Sequence, residues 1–158
     1  MPITVLEERP EYRLGHAGSV YVTVWFSELS MVALDALARH HEVLAKKYGK
    51  ITLVSVVVGA TQAPGPELRE RLRTETVELA KTRRGNIVVV LAKGLSAIIT
   101  RSFLAVLSLL SSETMKVPAT LEEAAEQARK LEGQDEETKH NATLGADLVA
   151  FAALPRPK

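Results

Sequence analysis

The stretch LSAIITRSFLAVLSLL, residues 95–110, decides the fold that this sequence predicts. Its one charged residue is Arg101, and its apolar side chains go most of the way round a helix instead of forming one stripe. A helix that is apolar on nearly every side must be covered on nearly every side. The run is also shorter than the ~20 apolar residues that span a bilayer. We therefore expect a core helix that rests on a sheet and offers its remaining surface to the chain's own tail, a second subunit or an apolar ligand.

Strand patterns on both sides of this helix supply the sheet. The segment SVYVTVWF, residues 19–26, alternates in the period-two manner of a strand. The segment ITLVSVVV, residues 51–58, is rich in β-branched residues, which is typical of a strand covered on both faces in a parallel sheet. The remaining strands are predicted at residues 3–6, 87–91 and 115–119. The first of these opens a hairpin with a polar, glycine-containing return, and the last lies at a sheet edge because it contains a proline.

Helix signals follow each of the later strands. Ser27 or Ser30 caps a first helix that ends at a glycine. A proline in the first turn begins a second, solvated helix over residues 66–84. Thr120 and Glu123 form the capping box of a last helix. The resulting order is β-β-α-β-α-β-α-β-α, and strands joined through helices lie parallel with right-handed crossovers. We expect an α/β fold with a mixed, mostly parallel sheet flanked by helices.

The chain of 158 residues reads as one domain with a tail. Residues 1–132 form the domain, and residues 133–141, GQDEETKHN, are a polar, acidic linker by composition. Residues 142–158 return to an apolar pattern that predicts a helix packing on the domain or on a partner. This tail is a candidate cover for the helix at 95–110, and the alternative is a frayed chain end.

Composition excludes several classes of function. The chain has no cysteine, which excludes thiol catalysis and cysteine-based metal sites and fits a reducing compartment. Its N-terminus lacks the pattern of a signal peptide, so we expect a cytoplasmic protein without a membrane span. A net charge of +1 and an aromatic content of 4% argue against a nucleic-acid-binding protein.

The element order, with SVYVTVWF, ITLVSVVV, NIVVVL and MKVPA each leading into a helix, resembles the STAS fold of anti-sigma-factor antagonists and its SpoIIAA-like relatives. The ending MKVPATLEEAAEQARKL is similar to that family's last strand and helix. The resemblance covers residues 3–132. It implies a bacterial-type regulatory or interaction domain that signals without catalysis or a cofactor. The SpoIIAA-like branch is also similar in fold to lipid-exchange domains, which implies an apolar ligand as an alternative.

One motif of that family is missing. Phosphorylated members carry an Asp-Ser-Ser/Thr-Gly turn after the central strand, where this chain reads GATQAPGP, residues 59–66. Thr61 is the one hydroxyl available there, and the following helix N-terminus favours an added phosphate. An ordinary loop threonine is the alternative interpretation.

Catalytic patterns are incomplete. Residues 94–98, GLSAI, place Ser96 between a strand and a helix as in a nucleophile elbow, but the second glycine is replaced by isoleucine. The histidines stand at positions 16, 40, 41 and 140, without the spacing that supports a triad or a metal pair. No phosphate-binding or dinucleotide motif occurs. A hydrolase that uses Ser96 remains an alternative function.

The sequence predicts binding through the apolar helix and the tail. Arg101 must reach solvent, pair with Glu113 or Asp147, or bind an anionic group, because an unpaired buried charge costs several kcal/mol. The predicted binding residues are Arg101, Phe103, Leu104, Leu107 and Phe151. The expected partner is a second copy of the chain or another regulatory protein, with an apolar ligand as the alternative.

Overall fold

The structure is a computed structural model that describes residues 2–59, 64–110 and 115–158. Its strands are β1 (Thr4–Arg9), β2 (Tyr12–Ala17), β3 (Val20–Trp25), β4 (Ile51–Val57), β5 (Arg83–Val90) and β6 (Met115–Lys116). Its helices are α1 (Met31–Tyr48), α2 (Pro66–Ala80), α3 (Leu95–Leu110), α4 (Leu121–Arg129), α5 (Glu136–Lys139) and α6 (Leu144–Ala153). No helix in these ranges is both long and apolar enough to cross a membrane.

The strands of the described ranges form one sheet in the order β1-β2-β3-β4-β5-β6. The first three strands are antiparallel, and β3 to β6 run parallel. Each parallel strand reaches its neighbour through a helix, as the spacing of the patterns predicted. The α/β class and the mixed sheet flanked by helices are therefore confirmed.

Two layers of helices cover the two faces of the sheet. Side chains of β3, β4 and β5 alternate between the faces, because successive residues of a strand point in opposite directions. Val22, Val54 and Ile87 pack with α4 and α6 on one face. Tyr21, Leu53 and Val88 and their neighbours form a second core under α1, with α3 in contact. The central strand β4 is buried on both faces, which explains its continuous apolar sequence.

Capping signals of the sequence are confirmed at two helices. The Ser30 side chain accepts a hydrogen bond from the backbone N–H of Ala33 at the start of α1. Gly49 ends that helix with a φ of 83°, a conformation that favours glycine. At α4 the Thr120 hydroxyl accepts from the N–H of Glu123, and the Glu123 carboxylate accepts from the N–H of Ala119.

The expected polar return after β1 is wrong, because it is the strand β2. Tyr12, Arg13 and Leu14 of this strand are buried, although the segment reads as polar. A second correction concerns the end of α2, which we expected near residue 84 and find at Ala80. Strand β5 starts at Arg83, not at residue 87, since pairing with β4 extends the strand backwards through a glycine.

The segment predicted as a linker is instead a fixed connection. It contains the short helix α5, and the Gln134 side chain is buried. Gln134 Nε2 donates to Thr52 Oγ1 at 2.9 Å and to the carbonyl of Ala128 at 2.7 Å, while its Oε1 accepts from Arg84. A buried amide must satisfy its polar atoms, and Gln134 does so with partners on β4, on β5 and at the end of α4. These bonds hold the connection against the sheet.

The apolar tail forms α6 and packs on its own chain. Leu144, Leu148 and Phe151 are buried against α4 and the sheet face that α4 covers. Helix α3 contacts the opposite face. The tail, one of the candidate covers for α3, therefore lies on the other face of the sheet and does not cover that helix.

Candidate ligand-binding site

A cavity of about 140 Å³ lies between α3, the helices α1 and α2, and the sheet. Trp25, Val57 and Val88 form part of its floor. Its walls are mainly apolar side chains of the three helices, namely Leu34, Leu37, Leu72, Ile99 and Leu104. The floor reaches the carboxyl ends of the parallel strands, where open α/β sheets commonly bind ligands. The space beneath α3 is thus the leading candidate for a binding site.

Two uncharged polar side chains of the sheet strands line this cavity. Ser55 of β4 and Asn86 of β5 share a face, because the register pairs Leu53 with Asn86 and Ser55 with Val88. The Ser55 hydroxyl accepts a hydrogen bond of 2.9 Å from Thr23. Asn86 is only 6% exposed, and its Oδ1 has no hydrogen-bond partner among the residues that the structure describes. A mainly apolar pocket with a few polar groups is the usual form of a small-molecule site.

Charged groups gather at the end of the cavity where β5 begins. Arg83 is buried and lines the cavity. Burial raises the pKa of Glu75, against the lowering effect of its hydrogen bond with Arg71. Burial and the positive charge of Arg83 lower the pKa of His41 to about 4, so this histidine is neutral at pH 7. The cavity therefore has a polar end, near the start of β5, and an apolar end, where Trp25 and Val57 form the floor.

The outer side of α3 exposes large apolar side chains. Leu95 is 71% exposed and Ile98 is 63% exposed. Val58 and Leu91, which directly follow β4 and β5, are also exposed. We call Leu95 and Ile98, one turn apart on the helix, the α3 patch. Exposed apolar side chains that occur together mark interaction surfaces more often than single ones do.

The residues predicted for binding do not form one site. Leu104 is half-buried and lines the cavity, so it is placed to contact a ligand there. Arg101 is exposed, so its charge reaches solvent. Asp147, one of its predicted partners, lies on α6 beyond the other face of the sheet and accepts a hydrogen bond from Thr143.

The other predicted residues have different outcomes. Phe151 is 3% exposed and packs inside the chain, so its expected contact with a ligand or partner is wrong. Phe103 and Leu107 belong to α3, and their side chains lie outside the described part of the structure. Thr61 and Glu113 also lie outside the described residues.

The groups of a serine hydrolase are not assembled around Ser96. Each histidine has another neighbour: His16 bonds the carbonyl of Gly18, His40 bonds Glu7, His41 bonds Thr82, and His140 bonds the carbonyl of Glu136. Within residues 2–59, 64–110 and 115–158, no group of three or more histidine, aspartate or glutamate side chains is placed to hold a metal ion.

A second depression, with a basic lining, lies where α2, β5, β6 and α4 meet. Its cations are largely neutralised by the chain itself. Lys81 pairs with Glu78, Arg84 with Asp135, and Lys130 with Glu126. Exposed pairs of this kind contribute little to stability and weaken the attraction for an added anion. The cavity beneath α3 is the better site.

Sequence reasoning did not find Ser55 or Asn86. The available signal was a polar residue at a position where the strand pattern demands an apolar one. Ser55 interrupts ITLVSVVV, and Asn86 directly precedes IVVV. In a strand covered on both faces, such a residue faces either a helix or a cavity, and the sequence does not distinguish these cases.

Comparisons of the chain with protein-family models, curated proteins and solved structures found no significant match.

Proposed function

We propose that this protein is a non-catalytic regulatory module that binds a small, mostly apolar ligand beneath α3. The observation that carries the proposal is the cavity between α3 and the sheet, with its apolar walls. The pocket is half open to solvent, measures about 140 Å³ and reaches the carboxyl ends of the parallel strands, where ligands of open α/β sheets commonly bind.

The size of the cavity limits the ligand. Pockets for drug-sized molecules measure ~300–1,000 Å³. An engineered apolar cavity of about 150 Å³ binds benzene. A cavity of about 140 Å³ therefore suits one aromatic ring or a short aliphatic chain, and a whole lipid is too large. The STAS-like resemblance implies a lipid-like ligand, and the volume of the cavity restricts that expectation to smaller apolar molecules.

The regulatory part of the proposal rests on the position of the cavity. A ligand in contact with Ile99 and Leu104 on the inner side of α3 acts on the same helix that exposes Leu95 and Ile98. Ligand binding can then change the exposed surface of α3, to which another protein could bind. The STAS-like resemblance of the sequence supports a signalling role.

Calorimetric titration with toluene tests the proposal. We expect one site with a Kd on the order of 0.1–1 mM, as the size of the molecule permits. Val88→Phe places a larger side chain in the cavity floor and should abolish binding, because Val88 is 4% exposed and lines the cavity. Val43→Phe, on an exposed part of α1, is the matched control and should bind like the original protein. Failure of the unmodified protein to bind toluene would contradict the proposal.

Self-association through the α3 patch is a second candidate function. It is favoured by the exposure of Leu95 and Ile98, which the tail does not cover. Sedimentation equilibrium at high micromolar concentration should then show a dimer. The double variant Leu95→Ser, Ile98→Ser should be a monomer, and Val43→Ser should remain a dimer. A monomeric unmodified protein would exclude this function and leave ligand binding untouched.

A further inference from the structure

We infer that the ligand is a neutral molecule that donates a hydrogen bond to the side-chain carbonyl of Asn86. This inference rests on the proposed function, since it names the chemistry of the molecule that the cavity holds. Asn86 lies on β5, is 94% buried by its relative exposure of 6%, and lines the cavity. Its Oδ1 accepts no hydrogen bond from any part of the chain that the structure describes.

An unsatisfied carbonyl at this position is costly. A buried acceptor without a partner destabilises a protein by about 1–3 kcal/mol. The residues that follow Asn86 on the strand are apolar, and an apolar side chain of similar size at position 86 would avoid the cost. Buried polar side chains are satisfied in most proteins. Asn86 Oδ1 is one of several buried atoms without a partner in the described chain, and it belongs to a side chain that lines the cavity, so a ligand there can supply the missing donor.

The position of Asn86 also determines where the donor of the ligand lies. The floor of the cavity runs from Asn86 and Leu53, which are paired in register, towards Trp25 and Val57. A ligand that donates to Asn86 Oδ1 therefore extends its apolar part beneath Leu72 and Leu104. The Ser55 hydroxyl on the same face accepts from Thr23, which leaves its own hydrogen for a second bond to the ligand.

The missing donor distinguishes neutral ligands from anionic ones. A carboxylate has no donor at neutral pH, and its oxygens would face the partial negative charge of Asn86 Oδ1. Arg83, the buried cation that also lines the cavity, already interacts within the chain. A purely apolar ring leaves that oxygen unsatisfied. A small phenol or alcohol satisfies it and still fits a cavity of about 140 Å³. We therefore assign the site to small neutral molecules with a hydroxyl or N–H group on an apolar body.

The test compares phenol with toluene, which have nearly the same shape, in calorimetric titrations of the unmodified protein and of Asn86→Leu. The ratio of the toluene Kd to the phenol Kd should be about tenfold larger for the unmodified protein, as expected for one hydrogen bond to a buried acceptor. The ratio cancels the different hydration of the two probes. Asn141→Leu is the matched control, because Asn141 lies outside the cavity, and it should retain the original ratio.

A second readout does not depend on the folding of the variant. In ¹⁵N spectra of the unmodified protein, saturating phenol should shift the side-chain amide signals of Asn86 more than saturating toluene does. Toluene binding with an unchanged ratio in Asn86→Leu and equal amide shifts would overturn this inference and leave the proposed function standing. Benzoate binding more tightly than phenol would also overturn it. Failure of toluene to bind the unmodified protein would instead overturn the proposed function, on which this inference rests.

Discussion

Arg13 is a buried cation that fastens the C-terminal end of the chain to β2. Its guanidinium donates to the carbonyls of Phe151, Leu154 and Pro155 at 3.0, 3.3 and 2.6 Å. Its Cζ also lies 5.2 Å from the ring centroid of Phe26 and 5.7 Å from that of Phe151. The last carbonyls of a helix have no partner within the helix and favour a positive charge. Arg13 therefore satisfies the end of α6 from inside the molecule.

Replacing Arg13 by methionine should destabilise the protein by about 3 kcal/mol, because one buried and two partly buried carbonyls lose a charged donor. Urea unfolding measures the change. The matched control is Arg39→Met, which removes an exposed pair with Glu7 and should cost less than about 1 kcal/mol. Equal effects of the two substitutions would show that Arg13 does not hold α6 in this way.

His41 should make the protein sensitive to acid. It is 1% exposed, bonds Thr82, packs edge-on against Tyr21, and faces the charge of Arg83. Its pKa is lowered to about 4, against 6.5 in the unfolded chain. Well above pH 6.5, His41 is neutral in both the folded and the unfolded protein. Below pH 6.5 the unfolded chain binds a proton that the folded protein does not, so the free energy of unfolding falls as the pH falls towards 4.

This effect amounts to about 2 kcal/mol between pH 6.5 and 5. His41→Gln should remove most of that pH dependence, as measured by urea unfolding at several pH values. His140→Gln is the control, since His140 is exposed and should leave the curve unchanged. A His41→Gln curve that stays parallel to that of the original protein would refute the assignment.

At the scale of elements, the crossing of β2 and α6 depends on Gly15. A Cβ at this position would lie 2.7 Å from Phe151 Cζ and 2.7 Å from the carbonyl oxygen of Thr4. The carbonyl belongs to the paired strand β1 and cannot move without breaking the sheet. Gly85 is different, because its Cβ would meet mainly the flexible end of the Leu131 side chain.

We predict that Gly15→Ala lowers the free energy of unfolding by about 2–3 kcal/mol, as overpacking does in well-packed cores. Gly85→Ala should lower it by less than about 1 kcal/mol, because Leu131 can adopt another rotamer. Denaturant unfolding of both variants provides the comparison. If Gly85→Ala proves the more damaging substitution, the described packing of α6 on β2 is incorrect.

Elements with a periodic pattern and a cap were predictable from the sequence. Helices α1 and α4 begin where Ser30 and Thr120 indicated, and β3 and β4 match their patterns closely. Strand β2 was not predictable, because its buried side chains include Arg13, whose carbonyl partners lie more than 130 residues away. The start of β5 was also missed, since it depends on pairing with β4 and not on local propensity.

At the scale of the whole molecule, the sheet separates a face closed by α4 and α6 from a face with a cavity. The sequence predicted that the helix at 95–110 needs a neighbour beyond the sheet, and it offered the tail as one of three candidates. The tail instead covers the opposite face, where Phe151 completes the core. Which face a C-terminal helix covers depends on distant contacts such as those of Arg13, and no local pattern contains that information.

Intermolecular nuclear Overhauser effects between toluene and methyl-labelled protein test the central claim most directly. We predict cross peaks from toluene to the methyl groups of Leu34, Leu72 and Val88, which line the cavity beneath α3. Leu144 and Leu148, buried on the opposite face, are internal controls and should give none. Cross peaks confined to Leu144 and Leu148, or absent from all five residues at saturating toluene, would contradict the account.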